Sequence, residues 1–218
     1  MISSLKKPQA LLFDWDNTLV STWEVLHKVI NLTFAEYKMP LWSLEKMKSD
    51  AHKSSREAFP SLFGESWKEA QSFFYKNFRK HHLGELRAMP SALELLDFLA
   101  NQNVKIGVVS NKKTSILVEE IEFLKWSKFF NVIVGSGDAE KDKPAPDSIF
   151  LALEKMALKP SKEIWFVGDT IVDWHAAQAS GCQPIALLEG SKDEILVPNV
   201  KNCKNLLIIL SQFYAVVD

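Results

Sequence analysis

A doubly wound (Rossmann-like) α/β fold, a parallel sheet with helices on both faces and an all-helical insertion, is what this sequence predicts. Three observations carry that prediction. Short apolar runs alternate with amphipathic helical patterns through most of the chain. The runs are continuously apolar, which suits strands of a parallel sheet covered on both faces. One interval, residues 21–87, holds helical patterns and no evident strand.

The elements follow in order. "ALLFDW" (10–15) reads as the first strand. "TWEVLHKVINLTFAEYK", "LWSLEKMKSDAHK" and "SWKEAQSFFYKNFRKHH" read as the helices of the insertion, punctuated by Pro40, Pro60 and Gly64, and Pro90 opens the return to alternation. Strands are then expected at "VKIGVVS" (104–110), "NVIVG" (131–135), "EIWFVGD" (163–169) and "PIALL" (184–188). The helices "SALELLDFLANQ", "KTSILVEEIEFLKW", "PDSIFLALEKMA" and "VDWHAAQAS" lie before and between them. Residues 1–20 and 88–218 are therefore assigned to the α/β core and 21–87 to the insertion. In such a sheet, ligands sit beyond the carboxyl ends of the strands.

Composition narrows the class. A chain of 218 residues, 47% hydrophobic and 24% charged, has the make-up of a soluble protein with a proper core. A formal net charge of -1 gives no global field to attract nucleic acid or an anionic membrane, so neither is an expected partner. Cys182 and Cys203 stand in no CxxC or Cys/His spacing and read as reduced or buried thiols. The opening "MISSLKKPQA" has no apolar stretch of signal-peptide length, and no segment is long enough to span a bilayer, so a cytoplasmic location is expected. Oligomeric state leaves no mark on the sequence.

The chemistry begins at "LLFDWDNTLV" (11–20). Asp14 falls at or just beyond the end of the first strand, and in an extended segment Asp14 and Asp16 project from the same side. Two carboxylates that close raise each other's pKa, an arrangement suited to a nucleophile beside a general acid. Turn formation by Asp and Asn is the competing reading of the same residues. "IWFVGDTIVDWHAA" places Asp169 at another strand end, after a Gly expected to let the backbone turn tightly, and Asp173 at the start of the next helix. Acids gathered at one sheet edge call for a counter-charge, and a hard cation with oxygen ligands, Mg²⁺, supplies it. Lys143 in "KDKPAPD" adds a second positive charge, while Ser110 and Asn111 in "VVSNKK" offer hydrogen bonds to an anion. Together the set suits phosphoryl transfer through an aspartyl-phosphate.

These four stretches resemble, in order, the motifs of the haloacid dehalogenase-like hydrolase superfamily, in its phosphatase branch with a helical cap. "DWDNT" is similar to DxDxT, "VVSNK" to the Ser/Thr motif, "KPAPD" to the lysine motif and "GDTIVD" to GDxxxD. The resemblance implies that Asp14 attacks phosphorus and that Asp16 protonates the leaving oxygen and later activates water. It implies Mg²⁺ on Asp14, Asp169 and the backbone carbonyl of Asp16, with Asp173 fixing the lysine or a metal-bound water. Ser110 and the backbone near Asn111 would hold the phosphoryl group, and Lys143 would neutralise charge. Asp16 argues against dehalogenation, because a halide needs no proton. Trp15 and Asn17 depart from the usual pattern, which favours a smaller apolar residue and Gly; Asn tolerates the left-handed backbone that Gly would supply.

The substrate implied is a small phosphorylated metabolite, in the manner of phosphoglycolate phosphatases. A β-phosphoglucomutase-like sugar-phosphate mutase is the alternative, and a catalytically silent regulatory member a third. Arg56, in "HKSSREAF", resembles a substrate-contacting cap arginine, and bidentate recognition of an oxyanion suits Arg; a solvated helix face is its other reading. His27 reads as an ordinary helix histidine. Arg79, Lys80, His81 and His82 read as complementing a helix C-terminus. Phe73, Phe74, Tyr75 and Phe78 read as cap core, with one ring available to line the pocket.

Overall fold

The structure, a computed structural model, describes residues 5–50, 54–188 and 197–214. Strand β1 (Ala10–Phe13) is buried at every position, which is why its sequence is apolar on both faces. It pairs in parallel with β4 (Lys105–Lys113) on one side and β6 (Ile164–Gly168) on the other. β5 (Val132–Ser136) extends the sheet beyond β4, while β7 (Gln183–Leu187) and β8 (Asn199–Val200) extend it beyond β6. The order β5-β4-β1-β6-β7-β8 is parallel throughout. The chain steps outward from β1 to β5 and then crosses back to β6. That reversal beside β1 opens a crevice at the carboxyl ends of β1, β4 and β6.

The period-2 alternation of β1 divides its side chains between two layers. Leu11 and Phe13 pack with α5 (Ala92–Asn101), α6 (Thr114–Phe123) and α9 (Cys203–Tyr214). Ala10 and Leu12 pack with α7 (Asp147–Lys155) and α8 (Ile171–Ala179). Cys182 and Cys203 are free and buried, one in each layer.

The insertion consists of α1 (Trp23–Glu36), α2 (Leu44–Asp50), α3 (Ser55–Phe63) and α4 (Trp67–Glu85). They close around their own core, in which Phe34, Phe59, Phe63, Phe74 and Phe78 make ring contacts. Where the chain leaves the core and where it returns, β2 (Val20–Ser21) and β3 (Arg87–Ala88) pair antiparallel.

All five expected strands are present, with β4 running three residues past Ser110. β2, β3 and β8 have two residues each, too short to leave a periodic signal. Pro60, expected as punctuation, lies inside α3. An interior Pro costs a helix about 3 kcal/mol, and the burial of Phe59 and Phe63 in the aromatic core offsets it. The second expected helix begins at Leu44, and its last three residues, Ala51, His52 and Lys53, lie outside the described residues. Among the described residues, no helix is long and apolar enough to cross a membrane.

Candidate active site

The site is built from strand ends. Asp14 directly follows β1, and its N–H donates to the Val167 carbonyl of β6 at 2.9 Å, so the backbone itself fixes its place in the crevice. Asp169 directly follows β6. Asp173 lies in the first turn of α8, where its Oδ2 accepts from the Thr170 N–H at 3.1 Å and the Thr170 hydroxyl at 2.7 Å, a capping box. Gly168 proves necessary for a reason other than the tight turn expected. A Cβ there would come within 2.4 Å of the Asp173 side chain, so only Gly lets the helix start this close to the strand.

Lys143, 2% exposed, ties these acids together. Its Nζ donates to Asp14 Oδ1 at 2.7 Å, to Asp173 Oδ1 at 2.7 Å and to the Val109 carbonyl at 2.8 Å, which uses all three of its protons. Asn111 braces the lysine's loop. Its side chain donates to the Lys143 carbonyl at 2.8 Å and accepts from the Lys143 N–H at 3.0 Å. The Asn111 amide thus serves the lysine's loop through both its oxygen and its nitrogen. Ser110, buried at the end of the apolar run of β4, accepts from the Lys112 N–H at 3.1 Å and lines the crevice.

One carboxylate oxygen from each of Asp14, Asp169 and Asp173 lies within 4.8 Å of the others. Three acids thus share one ammonium. Burial pushes the Asp14 carboxyl up to about 7; Lys143 opposes the shift, and Asp173 and Asp16 add to it. Burial, then Asp173 and Asp14, hold the Asp169 carboxyl well above the usual range. Burial pulls the Lys143 ammonium down, but Asp14 and Asp173 outweigh it and the net direction is up. A buried, oxygen-only donor set with surplus negative charge fits a hard divalent cation.

Asp16 belongs to a different cluster, one that sequence reasoning missed. Its Oδ1 lies 2.6 Å from the Nζ of Lys112, which also donates to Glu120 Oε2 at 2.7 Å. Glu120, fully buried on α6, accepts from Trp15 Nε1 at 2.7 Å and is 2.9 Å from Nδ1 of His82 on α4. Burial raises the Asp16 carboxyl, with Lys112 opposing and Glu120 reinforcing. Burial also works to raise Glu120, yet Lys112 and the three hydrogen bonds bring it below its ordinary value. Trp15 is thereby accounted for, since it anchors Glu120 while its ring packs edge-on against Trp126 and Phe130. A signal did exist. Glu120 shares the buried face of α6 with Ile116, Leu117 and Ile121, an acid in an apolar stripe. Asn17 adopts φ 60°, the left-handed backbone expected of it.

Arg56 does not join these groups. From α3 its Nη2 donates to the Glu140 carbonyl at 2.9 Å and its Nε lies 3.4 Å from buried Asp142, so it pins the insertion to a core loop. His27 Nε2 is 2.8 Å from the Trp42 carbonyl, an ordinary structural contact. Arg79 and His82, expected to complement the end of α4, instead reach α6: Arg79 pairs with Glu119 and bonds Ser115, and His82 is buried against Glu120. Phe74 and Phe78 are cap core as expected, and both line the crevice together with Tyr75. The crevice has a volume of about 230 Å³ and runs from Asp14 and Ser110 at the sheet to Trp23, Trp42 and Phe59 in the insertion.

Residues 11–187 match the model of a family described as haloacid dehalogenase-like hydrolase. A phosphoglycolate phosphatase of Escherichia coli is 35% identical over 101 residues, 46% of this chain and 40% of that protein. The match thus spans about two-fifths of the length of that relative. A pyrophosphatase of Oceanobacillus iheyensis is 24% identical over 217 residues, covering 95% of this chain and 99% of that protein. A solved structure of a hydrolase of the same superfamily from Ehrlichia chaffeensis is 29% identical, with a TM-score of 0.67 over 97% of this chain and 100% of that one.

Proposed function

The chain belongs to the haloacid dehalogenase-like hydrolase family, and from that premise we propose that it is a Mg²⁺-dependent phosphatase acting on a small phosphorylated metabolite through an aspartyl-phosphate. The observation that carries this is the separation of two aspartates two residues apart. Asp14 sits with Asp169, Asp173 and Lys143, whereas Asp16 is held by its own lysine. Paired carboxylates in unlike environments take unlike roles.

In this reading Asp14 attacks phosphorus, and the bond to the leaving oxygen breaks as the Asp14–phosphorus bond forms. Asp16 gives its proton to the leaving oxygen. It then takes one from the water that attacks the intermediate, releasing phosphate and restoring Asp14. Ser110 and the backbone at Asn111 hold the phosphoryl oxygens, and Lys143 offsets charge on nucleophile and phosphate. Asp14, Asp169 and the Asp16 carbonyl would hold Mg²⁺, with Asp173 behind them; the ion supplies charge neutralisation at the phosphoryl oxygens. Residues 21–87 act as the cap that excludes water. The same reading has the protein in the cytoplasm, with neither nucleic acid nor membrane as partner. His27, the cap histidine that a mutase could use as an acid/base, has its ring bonded to the Trp42 carbonyl, so the mutase alternative gains nothing from it.

Phosphate release with Mg²⁺ from a panel containing phosphoglycolate, sugar phosphates and pyrophosphate is the test. The E. coli and O. iheyensis relatives recommend the first and last of these. At least one compound should release phosphate, and Asp14→Asn should lower that rate at least ~10³-fold, as removal of a nucleophile does. An Asp14→Asn protein with undiminished turnover overturns the assignment.

A further inference from the structure

The cap side of the crevice says something about the leaving group. Trp23, Leu26, Trp42, Phe59, Leu62 and Phe74 line it. Trp23, Leu26, Trp42 and Leu62 are only partly buried, so the cap holds large apolar side chains beside the crevice that its own core does not fully cover. Such surface gains from contact with an apolar group and loses from contact with a charged one. Aromatic faces carry negative charge density and repel an anion laid against them.

Among the described residues the cations nearby have partners, and Lys46 and Lys48 stand over the Trp42 and Trp23 rings at 4.9 and 5.9 Å. Lys112 is shared by Asp16 and Glu120, and Arg56 is bonded to the Glu140 carbonyl outside the crevice lining. Lys113, the last residue of β4, lines the crevice from the core side; it is exposed, with its ammonium 4.9 Å from the centroid of the Tyr75 ring. On the cap side, one buried hydroxyl among the described residues is without a partner. Ser54 lines the crevice at 2% exposure, and its buried Oγ has no hydrogen-bond partner among the described residues. A buried hydroxyl without a partner calls for one. A volume of about 230 Å³ falls below the roughly 300–1,000 Å³ of clefts that take drug-sized molecules, so the ligand is compact.

We infer that the substrate is a phosphomonoester whose leaving group is an uncharged, largely apolar alcohol about the size of a single ring, with at most one polar substituent for Ser54. This rests on the phosphatase reading above and narrows it: the cap selects against a carboxylate-bearing leaving group such as glycolate. Apolar contact remote from the reacting atoms then fixes orientation at Asp14.

Benzyl phosphate and phosphoglycolate are both unactivated alkyl esters, so they compare the two leaving groups directly. With Mg²⁺ and direct phosphate detection, kcat/KM for benzyl phosphate should exceed that for phosphoglycolate at least tenfold. Trp42→Ala should lower this ratio about tenfold, and Leu26→Ala by a smaller factor in the same direction. The ratio is taken within one preparation, so a variant that folds incompletely still reports on selectivity. The backbone contacts of Trp42 with His27 and Asn31 survive its substitution. A wild-type preference for phosphoglycolate, or a ratio that Trp42→Ala and Leu26→Ala leave unchanged, overturns the inference and leaves the phosphatase standing. Phosphate release from neither compound, nor from any other member of the panel, overturns both.

Discussion

Two buried lysines, Lys143 and Lys112, each sit between two carboxylates, and the surroundings of the two pairs differ. Lys143 serves Asp14 and Asp173, with Asp169 alongside and no second cation paired with them among the described residues, so the cluster keeps surplus negative charge. Lys112 serves Asp16 and Glu120, and Glu120 also receives the Trp15 N–H and faces His82. One cluster is left wanting a cation. The other is nearly satisfied and reaches from the core to α4 of the cap. One fold thus gives two aspartates, two residues apart, unlike chemistry: an electrostatic deficit around the proposed nucleophile and a supported acid beside it.

The largest effect that would break this contrast is on turnover. Asp16→Asn removes the proposed proton donor but leaves Asp14, Lys143 and the metal-fitting acids in place. With the most active compound of the panel, kcat should fall about 10²–10⁴-fold, the usual range for a lost acid/base. The Mg²⁺ dependence of the melting temperature should remain. If instead that dependence disappears, the two clusters are not separable and the contrast fails.

Next in size is Lys112→Met, which leaves Asp16 and Glu120 buried without their cation. Breaking a buried pair from one side costs about 3–5 kcal/mol, or roughly 2–4 °C of melting temperature per kcal/mol in a chain of this size. The sign with pH follows from Glu120, whose carboxyl is held below its ordinary value. A depressed acid contributes stability that is present above its unfolded pKa and lost as pH falls through the folded one. The gap between wild type and Lys112→Met should therefore be full at pH 7.5 and shrink as pH falls below about 4.3, the ordinary Glu value. A gap independent of pH would mean that the lysine contributes packing alone.

How much of this was legible follows from what each residue does locally. Asp14, Asp169 and Asp173 interrupt apolar strands or open a helix, so the sequence marks them without any knowledge of neighbours. Lys143 was marked by its prolines and its place in a motif. Glu120 stood out only as an acid in an apolar stripe and Lys112 not at all, because what ties this pair to the site lies far along the chain; Glu120 and Trp15 are 105 residues apart. Arg56 shows the same limit from the other side. Its place in the chain suggested a substrate contact, but its partners, Glu140 and Asp142, are visible only once α3 is set against the core. The fold was the easier part, since strand and helix periods are local. The two-residue strands β2 and β3 escaped because their pairing is tertiary.

A smaller effect sharpens the deficit at Lys143. The Asp169 carboxyl is held well above its usual range by burial and its acidic neighbours. A raised folded pKa means stability that is full below the unfolded value and lost as pH rises toward the folded one. In metal-free protein at pH 7.5, Asp169→Asn should thus raise the melting temperature by a few degrees, corresponding to about 1–2 kcal/mol, with less gain at pH 5. Millimolar Mg²⁺ should stabilise the wild type by mass action and the variant much less. A variant that melts below wild type in chelator would show that Asp169 is a structural acceptor for Thr18 and carries no electrostatic cost.

Trp15→Phe probes the satisfied cluster at its mildest point. The substitution keeps an aromatic ring against Trp126 and Phe130 but deletes the indole N–H that reaches Glu120. Glu120 would keep Lys112 and His82, so the loss should be about 2–3 kcal/mol, that of one hydrogen bond to a buried charge plus a smaller ring. Activity should change less than threefold, because Asp16 is held by Lys112 and not by Trp15. Chemical denaturation and kcat on the same preparation decide the matter. A large fall in kcat with little loss of stability would mean that Glu120, anchored by Trp15, sets the position of Lys112 and through it of Asp16. The second cluster would then be part of the working site and not only its support.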